Sequence, residues 1–228
     1  MQMKISLFLT TVVFLLAGAF ALASETGPVT GADDALKKLL DGNANYVSNR
    51  MTLKDSSGPG TRQALAAGQR PYAVILSCSD SRVPPEIIFD KGLGEIFVVR
   101  VAGNVADPII IGSIEYAVEH FGSSLIMVLG HSRCGAVTAA VDATGDEHGN
   151  IGAIVKTILP AVQLARQETK SAGKSELVEA AVDMNIKLTA ESLVEQSPVI
   201  RSFVDSGKVK IVNAKYDLDT GTVKLLGK

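Results

Sequence analysis

Four short, mainly apolar runs constrain the fold of this chain more than any other feature. They cover residues 73–77, 96–101, 125–129 and 209–213. Runs of this length without polar alternation are typical of parallel strands that are buried on both faces of a sheet. Helical stretches separate or follow them, at residues 108–120, 135–143, 151–170 and 175–196. This pattern predicts an α/β domain with a mostly parallel central sheet flanked by helices.

Shorter elements are predicted on either side of this frame. Thr30 is predicted to be the N-cap of the first helix, with Asp33 three residues later in a capping-box arrangement. Gly42 is predicted to end this helix. Residues 55–60 read as a loop, and residues 61–67 as a short helix. A turn at 219–221 predicts that residues 222–226 form an antiparallel edge strand.

The first residues have the order of an export signal. Lys4 precedes an apolar run from Ile5 to Phe20, and Ala21-Leu22-Ala23 follows with small residues at the spacing that signal peptidase accepts. We therefore expect residues 1–23 to be a signal peptide and residues 24–228 to be a single exported domain, periplasmic in a bacterium. The alternative is an uncleaved membrane anchor.

Charge excludes some classes of partner. The formal net charge is −2, and the charged residues are mixed along the chain without a basic block. Neither nucleic acid nor a membrane surface is therefore expected as a partner of the mature chain.

Two clusters of polar residues follow the predicted strands. Cys78-Ser-Asp80-Ser-Arg82 comes directly after the first strand, and His131-Ser-Arg-Cys134 follows the third. Sites in open α/β sheets form beyond the carboxyl ends of the strands, so the two clusters meet if these strands are neighbours.

The residue types in these clusters suit a metal ion. Two thiolates and one imidazole are a ligand set of catalytic zinc, with the fourth position left for water. Cys134 also stands at a predicted helix N-terminus, which favours a thiolate. The alternatives are a disulfide between Cys78 and Cys134, as is common in exported proteins, or two inert buried cysteines.

Together these motifs resemble the paired signature of the β-class carbonic anhydrases. The likeness continues through residues 68–71, 97–100, 114–118 and 216–221, and so covers nearly all of the chain after residue 23. It implies an enzyme that hydrates CO2 to bicarbonate and a proton by attack of zinc-bound hydroxide. It also implies an N-terminal helical arm and a homodimer or larger assembly.

The resemblance assigns roles around the metal. Cys78, His131 and Cys134 are the implied ligands of one zinc ion per chain. Asp80 is implied either as a fourth ligand in a closed form or as the partner of Arg82 in an open, catalytic form.

Three further positions match residues that contact substrate in the family. Gln69 is the implied hydrogen-bond donor to substrate, and Phe97 with Tyr116 is implied to wall the cleft, partly across a subunit boundary. One subgroup has Trp where this chain has Ile75, beside a bicarbonate site that favours the closed form. We therefore expect Asp80 to rest on Arg82 here.

Two other functions fit the same motifs. The first is a related zinc hydrolase that acts on CS2 or COS, and the second is a non-catalytic zinc-binding module. Asp80, Arg82 and Gln69 argue against the second, because a purely structural zinc site does not require them.

Overall fold

A five-stranded sheet lies at the centre of the computed structural model, which describes residues 30–145, 149–169 and 173–227. The strands are β1 (Ala73–Ser77), β2 (Ile96–Arg100), β3 (Leu125–His131), β4 (Lys210–Tyr216) and β5 (Val223–Leu225). Their order is β2-β1-β3-β4-β5. The first four run parallel, and β5 pairs antiparallel with β4. The predicted fold class is confirmed.

Eight helices surround this sheet within the described ranges. They are α1 (Ala32–Val47), α2 (Pro59–Leu65), α3 (Pro85–Ile88), α4 (Pro108–Phe121), α5 (Gly135–Asp142), α6 (Ile151–Glu168), α7 (Lys174–Gln196) and α8 (Pro198–Asp205). Every residue of β1 and β3 is buried, as their unbroken apolar sequences require. None of the helices there combines the length and apolar character that crossing a bilayer requires. The expected signal peptide, residues 1–23, lies outside the described residues.

The strand register brings the two polar clusters together. Ser77 pairs with Leu129 of β3 on one side and with Arg100 of β2 on the other. Because β1 and β3 are parallel neighbours, the residues that follow them emerge at the same edge of the sheet. Cys78 and His131 therefore lie close together, although they are distant in sequence.

The prediction for the first helix was wrong at both ends. Its N-cap is Gly31, which provides no side-chain hydrogen bond, and the helix continues to Val47. Gly42 is buried in its middle, where a Cβ atom would lie 1.7 Å from the carbonyl oxygen of Phe89. Glycine serves here for close helix packing and does not end the helix.

Other elements also differ from the prediction. Strand β3 continues to His131 and β4 to Tyr216, beyond the predicted ends at residues 129 and 213. Helix α2 begins at Pro59, inside the stretch predicted as a loop, because proline is well suited to a first helical position. Helix α8 was not predicted. It begins after Ser197, whose hydroxyl oxygen accepts a hydrogen bond from the backbone N–H of Ile200 at 2.9 Å.

Candidate metal centre

Three buried side chains converge at the carboxyl edge of the sheet. Cys78 follows β1, His131 ends β3, and Cys134 is the N-cap residue of α5. Their candidate ligand atoms all lie within 4.8 Å of one another. The strand ends and the helix start thus place two sulfur atoms and one imidazole around a common point.

The two cysteines are free thiols in this structure. Their Sγ atoms are 4.0 Å apart, about twice the length of a disulfide bond. Two sulfur ligands at about 2.3 Å from a tetrahedral zinc ion would be separated by about 3.8 Å. The spacing therefore suits two ligands of one metal ion.

The His131 ring is oriented with one nitrogen left for a metal. Its Nδ1 lies 2.9 Å from the carbonyl oxygen of Ser132. A carbonyl can only accept, so Nδ1 carries the proton and Nε2 has a lone pair. Nε2 is buried and has no hydrogen-bond partner among the described residues. A buried lone pair beside two thiols fits a soft divalent cation such as zinc.

The two thiols differ in acidity, and Cys78 is the one that more readily carries a negative charge. The pKa of Cys78 is lowered, chiefly because the Cys134 thiol donates to it, with a further hydrogen bond from the Gly103 amide at 3.3 Å. The pKa of Cys134 is raised, chiefly by its bond to Cys78 and by burial. The helix N-terminus alone does not make Cys134 the thiolate, because two adjacent sulfur anions repel each other unless a cation lies between them.

Asp80 is held by Arg82. The guanidinium donates from Nε to Oδ1 at 2.9 Å and from Nη2 to Oδ2 at 2.7 Å. These bonds hold the pKa of the Asp80 carboxyl well below its usual range. Oδ2 also lies 3.8 Å from Nε2 of His131, so the carboxylate reaches the edge of the ligand cluster. This is the expected arrangement, with Asp80 on Arg82.

Arg100, at the end of β2, holds the backbone of the segment from Cys78 to Arg82. It donates from Nε to the carbonyl oxygen of Cys78 at 3.0 Å and from Nη2 to that of Asp80 at 2.6 Å. Sequence reasoning assigned it no role in the site. A signal was present in the sequence. Arg100 lies near the end of a predicted strand, and that strand is the neighbour of the strand that Cys78 follows.

The structure does not bring Gln69 to the cluster within one chain. Gln69 is exposed and precedes β1, whereas Cys78 follows it. The five residues of β1 span about 17 Å, so Gln69 and Cys78 lie towards opposite ends of that strand.

Phe97 is also remote from the ligands of its own chain, and Tyr116 belongs to the same group of aromatic rings. Phe97 pairs with Val74, four residues before Cys78 and thus about 13 Å away along the sheet. The two aromatic rings instead meet through Phe121, at centroid distances of 6.0 Å from Phe97 and 5.2 Å from Tyr116.

Comparisons with known proteins agree with this geometry. A family model described as carbonic anhydrase matches residues 73–223. Carbonic anhydrase 2 of Mycobacterium tuberculosis is 41% identical over 201 residues, covering 87% of this chain and 94% of the relative. The carbonic anhydrase of Mycolicibacterium smegmatis is also 41% identical, over 84% of this chain and 91% of its own.

Solved structures place the fold in the same group. The β-carbonic anhydrase CcaA superimposes with a TM-score of 0.70 at 25% identity, covering 84% of this chain and 95% of its own. A structure reported among two tetrameric β-carbonic anhydrases of Sordaria macrospora gives the same TM-score and identity over 86% and 98%. The fold and the Cys-His-Cys cluster thus define an α/β enzyme with a metal-binding edge. The chain belongs to the β-carbonic anhydrase family.

Proposed function

We propose that this protein catalyses the reversible hydration of CO2 to bicarbonate and a proton, with one zinc ion per chain held by Cys78, His131 and Cys134. The observation that carries the proposal is the convergence of two free thiols on a buried imidazole nitrogen that has no partner in the described structure. A catalytic zinc site of this kind lowers the pKa of a bound water to near 7. The proposal identifies the ion as zinc because of this ligand set.

In this proposal Asp80 and Arg82 prepare the nucleophile. Arg82 occupies both carboxylate oxygens and keeps Asp80 off the ligand cluster. A carboxylate oxygen has a further lone pair, which can accept the hydrogen of the attacking water and direct its oxygen at CO2. The side chain of Arg82 is 54% exposed and that of Asp80 only 17%, so the guanidinium lies on the solvent side of the carboxylate.

We further propose that a second copy of the chain completes the substrate cleft. Gln69 and Phe97 lie towards the far end of the sheet from the ligand cluster of their own chain, and Tyr116 packs with Phe97 around Phe121. Tyr116 itself is 51% exposed, and a partner would also cover the exposed apolar side chains of Ile109 (79%), on the same helix, and Leu93 (45%). A homodimer or larger assembly would place these residues against the cluster of a neighbour.

Zinc content and stopped-flow CO2 hydration, measured on the same sample, test the proposed function. We expect one zinc per chain and rapid hydration in the wild type, and loss of both in Cys134→Ala. A matched control is Ser202→Ala, an exposed site on α8. Full zinc and full rate in Cys134→Ala would contradict the site assignment. Sulfide release from COS or CS2 faster than CO2 hydration would favour the related hydrolase instead.

Export is proposed on sequence grounds alone. The order of Lys4, an apolar run and Ala21-Leu22-Ala23 supports cleavage after Ala23 and a soluble protein outside the cytoplasm. Intact-mass measurement of protein from a bacterial envelope fraction tests this. A chain that begins at Ser24 is expected, and a full-length chain in the membrane pellet would contradict the proposal.

A further inference from the structure

A carboxylate from a distant helix holds the segment between His131 and Cys134. Arg133 lies in this segment with φ +52°, a left-handed conformation that is uncommon for residues other than glycine. Its backbone N–H donates to Oε1 of Glu179 at 2.7 Å. Glu179 belongs to α7 and is 46 residues away in sequence.

The amide that Glu179 binds shares a peptide unit with the Ser132 carbonyl. That carbonyl accepts the Nδ1 proton of His131 at 2.9 Å. A peptide unit is planar, so its N–H and C=O groups cannot turn independently. By fixing the N–H, Glu179 therefore fixes the carbonyl that orients the His131 ring and leaves Nε2 free.

Glu179 is itself held in place from β4. Lys215 Nζ lies 2.7 Å from Oε2 of Glu179 and 2.8 Å from Oδ1 of Asp183. The side chain of Lys215 is only 17% exposed and that of Glu179 33%, so the ion pair is partly buried. Lys215 is also opposite Gly130, the residue before His131, in the β3–β4 register. One carboxylate oxygen of Glu179 thus pairs with Lys215, while the other accepts the hydrogen bond from the Arg133 amide, between His131 and Cys134.

We propose that Glu179 is a positioning residue for the zinc site and acts on His131 through the Ser132–Arg133 peptide. This inference rests on the proposed zinc function. Carboxylates that contact a ligating histidine directly change metal affinity by about 10- to 100-fold. Because a peptide group stands between Glu179 and His131, we expect the lower end of that range.

Four proteins test the role of Glu179: the wild type, Glu179→Ala, Glu179→Gln and Asp183→Ala. Glu179→Ala removes the acceptor of the Arg133 amide. Glu179→Gln retains an amide oxygen that can accept the same bond but loses the charge. Asp183→Ala is the matched control, because it removes a carboxylate from Lys215 and leaves the Arg133 contact in place.

The readouts are the rate of zinc loss to a chelator, the visible absorption bands of the cobalt-substituted proteins, and kcat and KM for CO2. We expect Glu179→Ala to lose zinc about tenfold faster than the wild type and to show shifted cobalt bands. Its kcat is expected to fall with KM unchanged. Glu179→Gln should recover most of the zinc retention, and Asp183→Ala should match the wild type in both metal readouts.

Zinc loss and cobalt bands that are equal in Glu179→Ala and Asp183→Ala would overturn the positioning role. Should Glu179→Ala fail to fold, Glu179→Asp replaces it, because the shorter side chain withdraws from the Arg133 amide. Wild-type protein without zinc or without CO2 hydration would instead contradict the proposed function.

Discussion

At the scale of single residues, the charge of the two sulfur atoms explains why the cluster suits a divalent cation. Cys78 and Cys134 are buried 4.0 Å apart, and the lowered pKa of one is coupled to the raised pKa of the other. Without a cation the pair can carry one negative charge but hardly two, because the charges repel at low dielectric. A divalent cation removes that conflict and allows both thiolates to form.

The fork between Arg82 and Asp80 gives a prediction at one side chain. Arg82→Lys keeps the positive charge but cannot donate to both carboxylate oxygens at once. We expect the CO2 hydration rate to fall by roughly 10² while zinc content stays at the wild-type level, because orientation is lost and the ligands are not. Arg62→Lys, at an exposed position on α2, is the control. An unchanged rate in Arg82→Lys would remove the pair from the mechanism.

A second residue-scale prediction concerns pH and Asp90. Its carboxylate accepts hydrogen bonds from the backbone N–H groups of Thr52 and Leu53, both at 2.7 Å. Burial acts to raise the pKa of Asp90, but these bonds and one from Asn45 lower it overall. A carboxyl whose pKa is lowered on folding stabilises the fold above its ordinary pKa, and this stabilisation is lost as pH falls through the folded value.

Asp90→Asn should therefore reduce the free energy of unfolding by about 1–3 kcal/mol at pH 7, and by less below about pH 4. Asparagine tolerates the left-handed backbone of this position, φ +49°, so the substitution tests the charge. Urea unfolding at pH 7 and at low pH measures the difference, with the exposed Asp205→Asn as control. A pH-independent difference would show that the charge is not the cause.

At the scale of elements, the sequence predicts which segments form strands and helices better than where those elements end or which side chains support the site. The apolar run of β1 gave its bounds, Ala73–Ser77, because a strand buried on both faces must be apolar throughout. The sequence brought the candidate metal ligands together because the ends of parallel neighbouring strands share an edge of the sheet. Arg100 and Glu179 were missed as site residues, because their hydrogen bonds join segments whose approach only the folded chain defines.

Gly42 is another residue whose role depends on a contact that only the folded chain defines, and it gives a prediction for α1. In sequence it resembles a helix stop, but a Cβ there would lie 1.7 Å from the oxygen and 2.7 Å from the carbon of the Phe89 carbonyl. Gly42→Ala should therefore destabilise the protein by about 1–3 kcal/mol, since backbone atoms must move. Gly60→Ala in α2 is the matched control, since its Cβ would meet nothing within 4 Å. The control should gain up to about 1 kcal/mol of stability in urea unfolding, from helix propensity alone. Equal effects of the two substitutions would contradict the packing argument.

At the scale of the whole molecule, the sheet separates two sets of residues that the proposed reaction would use. The ligand cluster lies at the carboxyl edge of β1, and Gln69 lies before its opposite end. A protein with this arrangement can use both sets only if the carboxyl edge of the sheet in one copy meets the opposite edge of the sheet in a second copy. The exposed apolar side chains of Leu93 and Ile109 are consistent with such a contact.

Complementation between two inactive variants tests this arrangement. Gln69→Ala removes the proposed donor to substrate, and Cys134→Ala removes a ligand, so each homodimer is expected to lose most of its hydration activity. In a mixed dimer, the intact cluster of the Gln69→Ala chain would face the intact Gln69 of its partner. Random association makes about half of the dimers mixed with one working site each, so co-expression should restore about a quarter of the wild-type rate. Stopped-flow hydration with light scattering for dimer mass measures this.

Cys78→Ala co-expressed with Cys134→Ala is the control and should restore nothing, because both clusters are broken. A mixed sample as inactive as that control would mean that Gln69 does not serve the neighbouring chain.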